Sequence, residues 1–172
     1  MRVVLAPDSF KESMTAAEAA AAMARGVRAV HPGADCVEVP MADGGEGTAD
    51  ALVAALGGRW RELVVRDQLG RGVLARYGLA ADGLAVIEVA AAVGLGHVPE
   101  AGRRIMASTS LGVSDLVLDA LAAGATRLVV GLGGTGTSDG GAGLLAGLGA
   151  VWRDADGREL PPHHDGLALL ER

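Results

Sequence analysis

Apolar runs and the residues that interrupt them divide the chain into a regular series of elements. "RVVLAP" is a short apolar run stopped by proline, which predicts a buried strand. A helix is predicted over "MTAAEAAAAMARGVRAV", with Thr15 as its N-cap, Glu18 completing a capping box, and "HPG" closing it at His31. "DCVEVPMAD" is a second strand, and "GGEGTADALVAALGG" reads as a glycine turn, a helix and a glycine stop. This β-loop-α-β-loop-α order is the rhythm of a parallel sheet. The pattern then changes. "RWRELVVRD", "VLARYGLAADG" and "LAVIEVA" are three strand-like stretches with no helix between them, which predicts an antiparallel meander. After a loop at "GLGHVPEAGRR", helical spacing returns in "SLGVSDLVLDALAAG", with Leu116, Leu118 and Leu121 assigned to the inner face. "TRLVVGLGG" is a further buried strand and "AGLLAGLGA" a short helix. "VWRDADGREL" is a hairpin or strand-turn, and "PPHHDGLALLER" opens a last element. The fold class is therefore α/β: a parallel sheet with flanking helices plus an antiparallel or mixed-sheet portion. The expected division is into residues 1–62, part of a flavodoxin-like α/β domain, and residues 63–172, a second α/β domain carrying the glycine-rich loop.

Composition narrows the partners. Half of the 172 residues are hydrophobic but aromatics are only 2%, so the core has to be built from Ala, Val and Leu. A formal charge of −6, with no basic run, argues against a nucleic-acid groove or an anionic membrane surface. The N-terminus turns polar too soon for a signal peptide, and the apolar runs are broken by glycine before reaching membrane-spanning length. A soluble, cytoplasmic protein is the expectation. One cysteine, Cys36, excludes an intrachain disulfide and is read as a buried strand thiol. His31, His97, His163 and His164 are read as caps or surface residues, and Trp60, Tyr77 and Trp152 as packing residues. Ser108 to Ser110 ("STS") are read as capping the helix that follows or as hydroxyls that reach a ligand.

Three polar loops follow predicted strands, the place where parallel α/β sheets collect ligands. The first, "PDSFKES", carries Asp8, Ser9 and Lys11, the only lysine in a chain with fourteen arginines. A compact ammonium beside hydroxyls suits a phosphate. The second, "MADGGEGT", sets Asp43 and Glu46 among Gly44, Gly45 and Gly47, a pairing that suits either a helix N-cap or Mg²⁺ held through water. The third, "GLGGTGTSDGGAG" (131–143), holds seven glycines. "GLGGTG" matches G-x-G-x-x-G after a strand, and an NAD-binding Rossmann oxidoreductase is the alternative reading. However, Gly136 is followed by the polar "TSDGG" rather than by helix, and no Lys-Ser or Lys-Thr makes a Walker A loop. What remains is a cradle of backbone N–H and hydroxyl donors for an anion, with Asp139 placed to accept a proton or hold a metal.

The ordered motifs "APDSFKESMTA", "VPMADGGEGTADAL", "EVAAAVGL", "STSLGVSDLVLDALAAG" and "GLGGTGTSDGGAGLLAGLGA" resemble those of the bacterial type 1 glycerate kinase family. The resemblance runs from Met1 to at least Gly157 and corresponds to the N-terminal half of a typical member. It implies a two-domain α/β architecture, here incomplete. It also implies transfer of the γ-phosphoryl group of ATP to D-glycerate with Mg²⁺, giving 2-phosphoglycerate or 3-phosphoglycerate. Matching residues are Asp8, Ser9 and Lys11 in the first motif and Asp43, Gly44, Gly45 and Glu46 in the second. Gly133, Gly134, Thr135, Asp139, Gly140 and Gly141 match the third. Asp43, Lys11 and Asp139 are the expected catalytic residues, Asp43 and Glu46 the metal carboxylates, and the others substrate or phosphate ligands. Thr135-Gly136-Thr137-Ser138-Asp139 replaces the family's usual Ser-Ala-Thr-Asn-Asp, with a hydroxyl and the aspartate kept. A homodimer partner or a further C-terminal half is expected to complete the cleft. A non-catalytic module is the other alternative.

Overall fold

The structure is a computed structural model that describes residues 1–10, 13–45 and 47–170. Strands β1 (Arg2–Leu5) and β2 (Asp35–Glu38) pair in parallel, with Val3 opposite Cys36 and Leu5 opposite Glu38. Between them runs α1 (Ala16–Val30), whose start is set by the predicted capping box. The Glu18 amide donates to Thr15 Oγ1 at 3.2 Å and the Thr15 amide to Glu18 Oε2 at 2.8 Å, a pair worth about 1 kcal/mol. At the other end the His31 amide donates to the Val27 carbonyl. Ala19, Ala20 and Ala24 form the buried face of α1. Cys36 is half-buried, where full burial was expected.

Four strands make the second sheet, in the order β3 (Arg59–Arg66), β4 (Gly72–Leu79), β5 (Leu84–Glu88), β6 (Arg127–Gly131). The first three form the expected antiparallel meander, and β6 adds in parallel beside β5. Helix α2 (Thr48–Ala55) packs on β4 and β5 rather than on the first sheet. A Cβ on Gly78 would overlap a Val53 methyl, so the missing side chain is what seats the helix. Both α2 and the start of β3 therefore lie with the second sheet, on the near side of the 62/63 division drawn from sequence.

Helix α3 (Val89–Val93) follows β5 with no loop between them. It was not anticipated, because "LAVIEVAAAV" is apolar throughout and offers no periodicity to separate strand from helix. Three short 3₁₀ turns then lead to α4 (Leu111–Ala122). Val113, Leu116, Val117 and Ala120 form its buried face, while Leu118 and Leu121 are each 48% exposed. That corrects the expected inner face. At about 100° per residue, Leu118 stands about 200° round the helix from Leu116. Ile105–Ala122 also reaches a mean hydropathy of 1.4 over 18 residues, contrary to the expectation that no apolar run attains spanning length. The apolarity belongs to a core helix: α4 is 12 residues, about 18 Å, and buries one face on the sheet.

The core lies between α4 and the second sheet, around Tyr77, Ile87, Val93, Val113 and Leu116. The Tyr77 hydroxyl leaves it to donate to Asp119 at 2.7 Å, and Arg61 Nε donates to the same carboxylate at 3.0 Å. Helix α5 (Ala142–Gly147) packs against α4 at contacts that only glycine permits, a Cβ on Gly143 falling 2.5 Å from the Leu111 amide nitrogen. Trp152 closes this end by donating Nε1–H to the Ala142 carbonyl. The predicted hairpin survives as one bridge, Arg153 to Glu159, and α6 (His164–Leu167) is a single turn.

Candidate active site

The three polar loops meet through their backbones. The Met41 amide donates to the Pro7 carbonyl at 2.9 Å, which sets the second loop beside the first. The Gly133 amide donates to the Gly44 carbonyl at 2.9 Å, which sets the third beside the second. Side chains would not fit at this junction. A Cβ on Gly131 would lie 2.7 Å from the Gly44 carbonyl oxygen, and one on Gly133 would lie 2.8 Å from the Gly45 nitrogen and overlap its Cα. The glycine density of "GLGG" thus reflects loop-on-loop contact.

Within this cluster Asp8 and Ser9 are exposed, Asp8 accepting from the Ser9 amide. Lys11 and Glu46, both expected at the site, lie outside the described residues. Asp43 is exposed; its Oδ1 accepts from the Gly45 amide at 2.9 Å, and its other oxygen makes no bond among the described residues. Gly44, at φ +93, donates its amide to Thr48 Oγ1 at the first turn of α2. Gly134, at φ +69, turns the third loop, and its carbonyl accepts from the Leu95 amide. Thr135 is exposed and shares a 2.8 Å hydroxyl contact with Thr137. The amides of Gly134, Thr135, Ser138 and Gly140 have no partner among the described residues. Gly140 and Gly141 both hold positive φ where α5 begins.

Asp139 has a different environment from the one its place in a polar loop suggested. It is 2% exposed. Its Oδ2 accepts from the Ser110 amide at 2.7 Å, the Ser110 hydroxyl at 2.8 Å and the Gly143 amide at 3.0 Å, and its Oδ1 from the Gly141 amide at 3.1 Å. Ser110 in turn accepts from the Leu144 amide at 2.9 Å. The carboxylate joins the starts of α4 and α5, and its donors leave it little capacity for a metal or a substrate proton. Ser110 sits at the N-cap position of α4 without a side-chain cap bond, because its hydroxyl serves this latch instead. Thr109 gives its hydroxyl proton to the Pro162 carbonyl at 2.7 Å.

Beside the loops is a cavity of about 500 Å³, bordered by Gly47, Asp50, Glu88, Gly94 and Gly134. Ligand clefts commonly have this size. Its sheet wall carries Trp60 with the Arg76 guanidinium 4.0 Å from the ring centroid, and Arg76 also pairs with Asp50 at 2.9 Å. Glu88 was not singled out from sequence. It ends β5 opposite Gly131, and its carboxylate accepts from the Ala49 amide at 2.7 Å, joining the sheet to α2 at the cavity edge. The available signal was an acidic residue closing the apolar run "LAVIE". His97 is half-buried, with Nε2 3.0 and 3.1 Å from the Ala90 and Ala91 carbonyls. His163 caps α6, and no cluster of three or more His, Cys, Asp or Glu suited to a metal occurs among the described residues.

Glycine loops in contact at strand ends, with open amides and an exposed carboxylate, define an α/β protein with its polar loops gathered where such sheets commonly place ligands. Its ten-residue connection from β6 to α5 is longer than a dinucleotide turn. Comparison with known proteins is more specific: residues 3–172 match the glycerate kinase family, and the chain belongs to that family. It is 48% identical over 171 residues to the glycerate kinase of Bacillus subtilis, covering 99% of this chain and 45% of that protein. Against the glycerate 2-kinase of Escherichia coli it is 48% identical over 161 residues, 93% of this chain and 42% of the relative. A crystal structure assigned to glycerate kinase 2 of Salmonella typhimurium LT2 superposes with a TM-score of 0.82 at 46% identity, covering 99% of this chain and 47% of that one. The chain thus spans about half the length of the relatives it matches.

Proposed function

We propose that the chain supplies one wall of a phosphoryl-transfer site that uses Mg²⁺ and ATP to phosphorylate D-glycerate, yielding 2-phosphoglycerate or 3-phosphoglycerate. The observation that carries this reading is the junction of the second and third loops, where the Gly133 amide meets the Gly44 carbonyl. That contact holds the exposed Asp43 beside a run of open amides. Phosphoryl transfer needs mainly positioning and charge stabilisation, and these are what such a junction offers. The amides of Gly134, Thr135, Ser138 and Gly140 donate to anionic oxygens. Asp8 and Ser9 border the same cluster and orient the acceptor, and Lys11, in the same motif, is a cation of the kind that suits a phosphate. Asp139 acts by holding the third loop, with Gly140 and Gly141, against α4. Mg²⁺ is usually held by one or two carboxylates plus substrate phosphates, a requirement that Asp43, with its open oxygen, fits and that Glu46 would complete. When bound, the ion neutralises charge on the phosphate oxygens.

The test is D-glycerate-dependent release of ADP, measured by a coupled assay on this chain and on a chain of the relatives' full length. The reading expects turnover from the full-length protein, loss of at least a hundredfold in Asp43→Ala, and a thermal shift with Mg-ATP but not with NAD. A full-length protein that is inert towards D-glycerate, or that is stabilised by NAD alone, overturns it.

A further inference from the structure

Helix α2 opens without a cap of its own. Gly47, at its N-cap position, holds φ +91 and has no side chain to offer, so the first turn finds an acceptor elsewhere. The Thr48 amide turns back to the Gly45 carbonyl at 3.2 Å. The Ala49 amide instead donates to Glu88 Oε1 at 2.7 Å, a bond across 39 residues of sequence. Ala49 is 3% exposed, so water is a poor substitute for that acceptor. A carboxylate suits the place, because the start of a helix carries partial positive charge and an ionised acceptor makes a short, strong bond.

Glu88 also stands where the third loop departs. It is the last residue of β5 and pairs in register with Gly131, the last of β6. From Gly131 the chain reaches Gly133, whose amide donates to the Gly44 carbonyl at 2.9 Å. The Gly44 amide donates to Thr48 Oγ1 at 3.0 Å, and Thr48 leads through Ala49 back to Glu88. These links close a ring round the junction of the second and third loops, and Asp43 adjoins it through Gly44. Farther along α2, Val53 seats the helix against Gly78. Losing the Glu88 bond would therefore free the first turn of α2, and the loop before it, while the body of the helix stays docked.

We propose that Glu88 is a positioning residue of the site: capping α2 from the sheet, it fixes the second loop against the third and so sets where Asp43 stands. This role presupposes the phosphoryl-transfer reading. Glu88 acts through the Ala49 amide, and what that amide needs is an oxygen acceptor at the end of β5. Two variants separate such a role from that of a reacting group. Glu88→Met fills much the same space without a strong acceptor, whereas Glu88→Gln keeps an oxygen for the amide.

Amide hydrogen exchange followed by NMR on this chain gives the first readout. The Gly44 and Ala49 amides should exchange at least about tenfold faster in Glu88→Met than in the parent, while those of β3 and β4 keep the parent's rates. Kinetics of the full-length protein give the second. Glu88→Met should lower kcat/KM for D-glycerate by about a hundredfold, the effect of displacing a site by about 1 Å, and Glu88→Gln should stay within about fivefold of the parent. Glu88→Ala gives the same comparison if methionine crowds the end of β5. Parent-like exchange at Ala49 or parent-like kcat/KM in Glu88→Met overturns the role. So does a Glu88→Gln protein that loses as much kcat/KM as Glu88→Met while its Ala49 amide stays protected, because the carboxylate would then act by its charge on the reactants. The two proposals fail separately. A full-length parent that forms no ADP, with exchange accelerated in Glu88→Met, removes the kinase reading and leaves Glu88 as the cap that holds the second loop. ADP formation by the parent, with exchange and kinetics unchanged in Glu88→Met, removes the role and leaves the kinase reading.

Discussion

Asp139→Ala tests whether the third loop's aspartate reacts or holds. In the folded chain its carboxylate serves the Ser110 amide and hydroxyl, the Gly143 amide and the Gly141 amide, at 2.7 to 3.1 Å. Alanine would strand these donors in a site only 2% exposed. Each buried polar group left unpaired costs about 1–3 kcal/mol. Gly141 is half-buried and water can relieve it, and losses that share one acceptor do not add. About 4 kcal/mol is the resulting expectation, a large part of the 5–15 kcal/mol that holds a typical domain together. Asp139→Asn keeps the shape but turns amide hydrogens towards donors, and should cost about half as much. Ser110→Ala strands the Leu144 amide and should cost about 1–2 kcal/mol, less when made in the Asp139→Ala background because the two residues share one network. Urea unfolding followed by circular dichroism gives these differences from the midpoints, provided the slopes match. If Asp139→Ala stays within about 1 kcal/mol of the parent while turnover of the full-length protein collapses, the carboxylate is a reacting group and the latch reasoning fails.

Gly133→Ala should separate the second and third loops, since its Cβ would overlap Gly45, and strain of this kind costs about 1–3 kcal/mol. The full-length protein should lose at least tenfold in kcat/KM, and parent-like kinetics would show that the junction is dispensable. Gly112→Ala drives a Cβ into the Arg66 carbonyl, its carbon 2.8 Å away, where α4 meets β3. A fall in midpoint equivalent to at least about 2 kcal/mol is expected, and a smaller one would mean that α4 can shift along the sheet. Bonds from Arg61, then from Tyr77, hold the Asp119 carboxyl below its usual range. A lowered folded value means that stability is present above about pH 4 and is lost as pH falls through the folded value. Asp119→Asn should flatten that acid limb of the stability curve. Burial, then the bond to Asp119, pushes Tyr77 up to about 12. Its folded state keeps the proton, so that contribution is complete below about pH 10 and is lost as pH rises towards 12. Tyr77→Phe should remove the alkaline limb, and an unaltered limb in that variant would assign it to another group.

The parts legible in the sequence were those whose causes are local. Thr15 and Glu18 specify the start of α1 within four residues, and the turns around Gly70 and Gly83 specify the meander in the same way. Loop positions were legible because a strand must end before a polar, glycine-rich stretch can begin. What failed depended on contacts between distant elements. Leu118 and Leu121 are apolar and helical, but only the sheet decides which side of α4 is inside. Glu88, an unremarked residue of the strand-like "LAVIEVA", gains its place only because α2 brings the Ala49 amide to its carboxylate. Asp139 is the sharpest case. Its neighbours in the chain, Ser138 and Gly140, are more open to solvent, and a polar loop residue with such neighbours is normally solvated. It is buried because the starts of α4 and α5 converge, and that convergence requires Gly143 and Gly147, whose added Cβ atoms would meet Thr109 and Ser114. The glycines of "GLGGTGTSDGGAG" therefore serve two contacts. The first four residues allow the third loop to touch the second, and the last glycine allows α5 to touch α4. A carboxylate between the two contacts holds the loop from both ends, which places its open amides at the junction with Asp43.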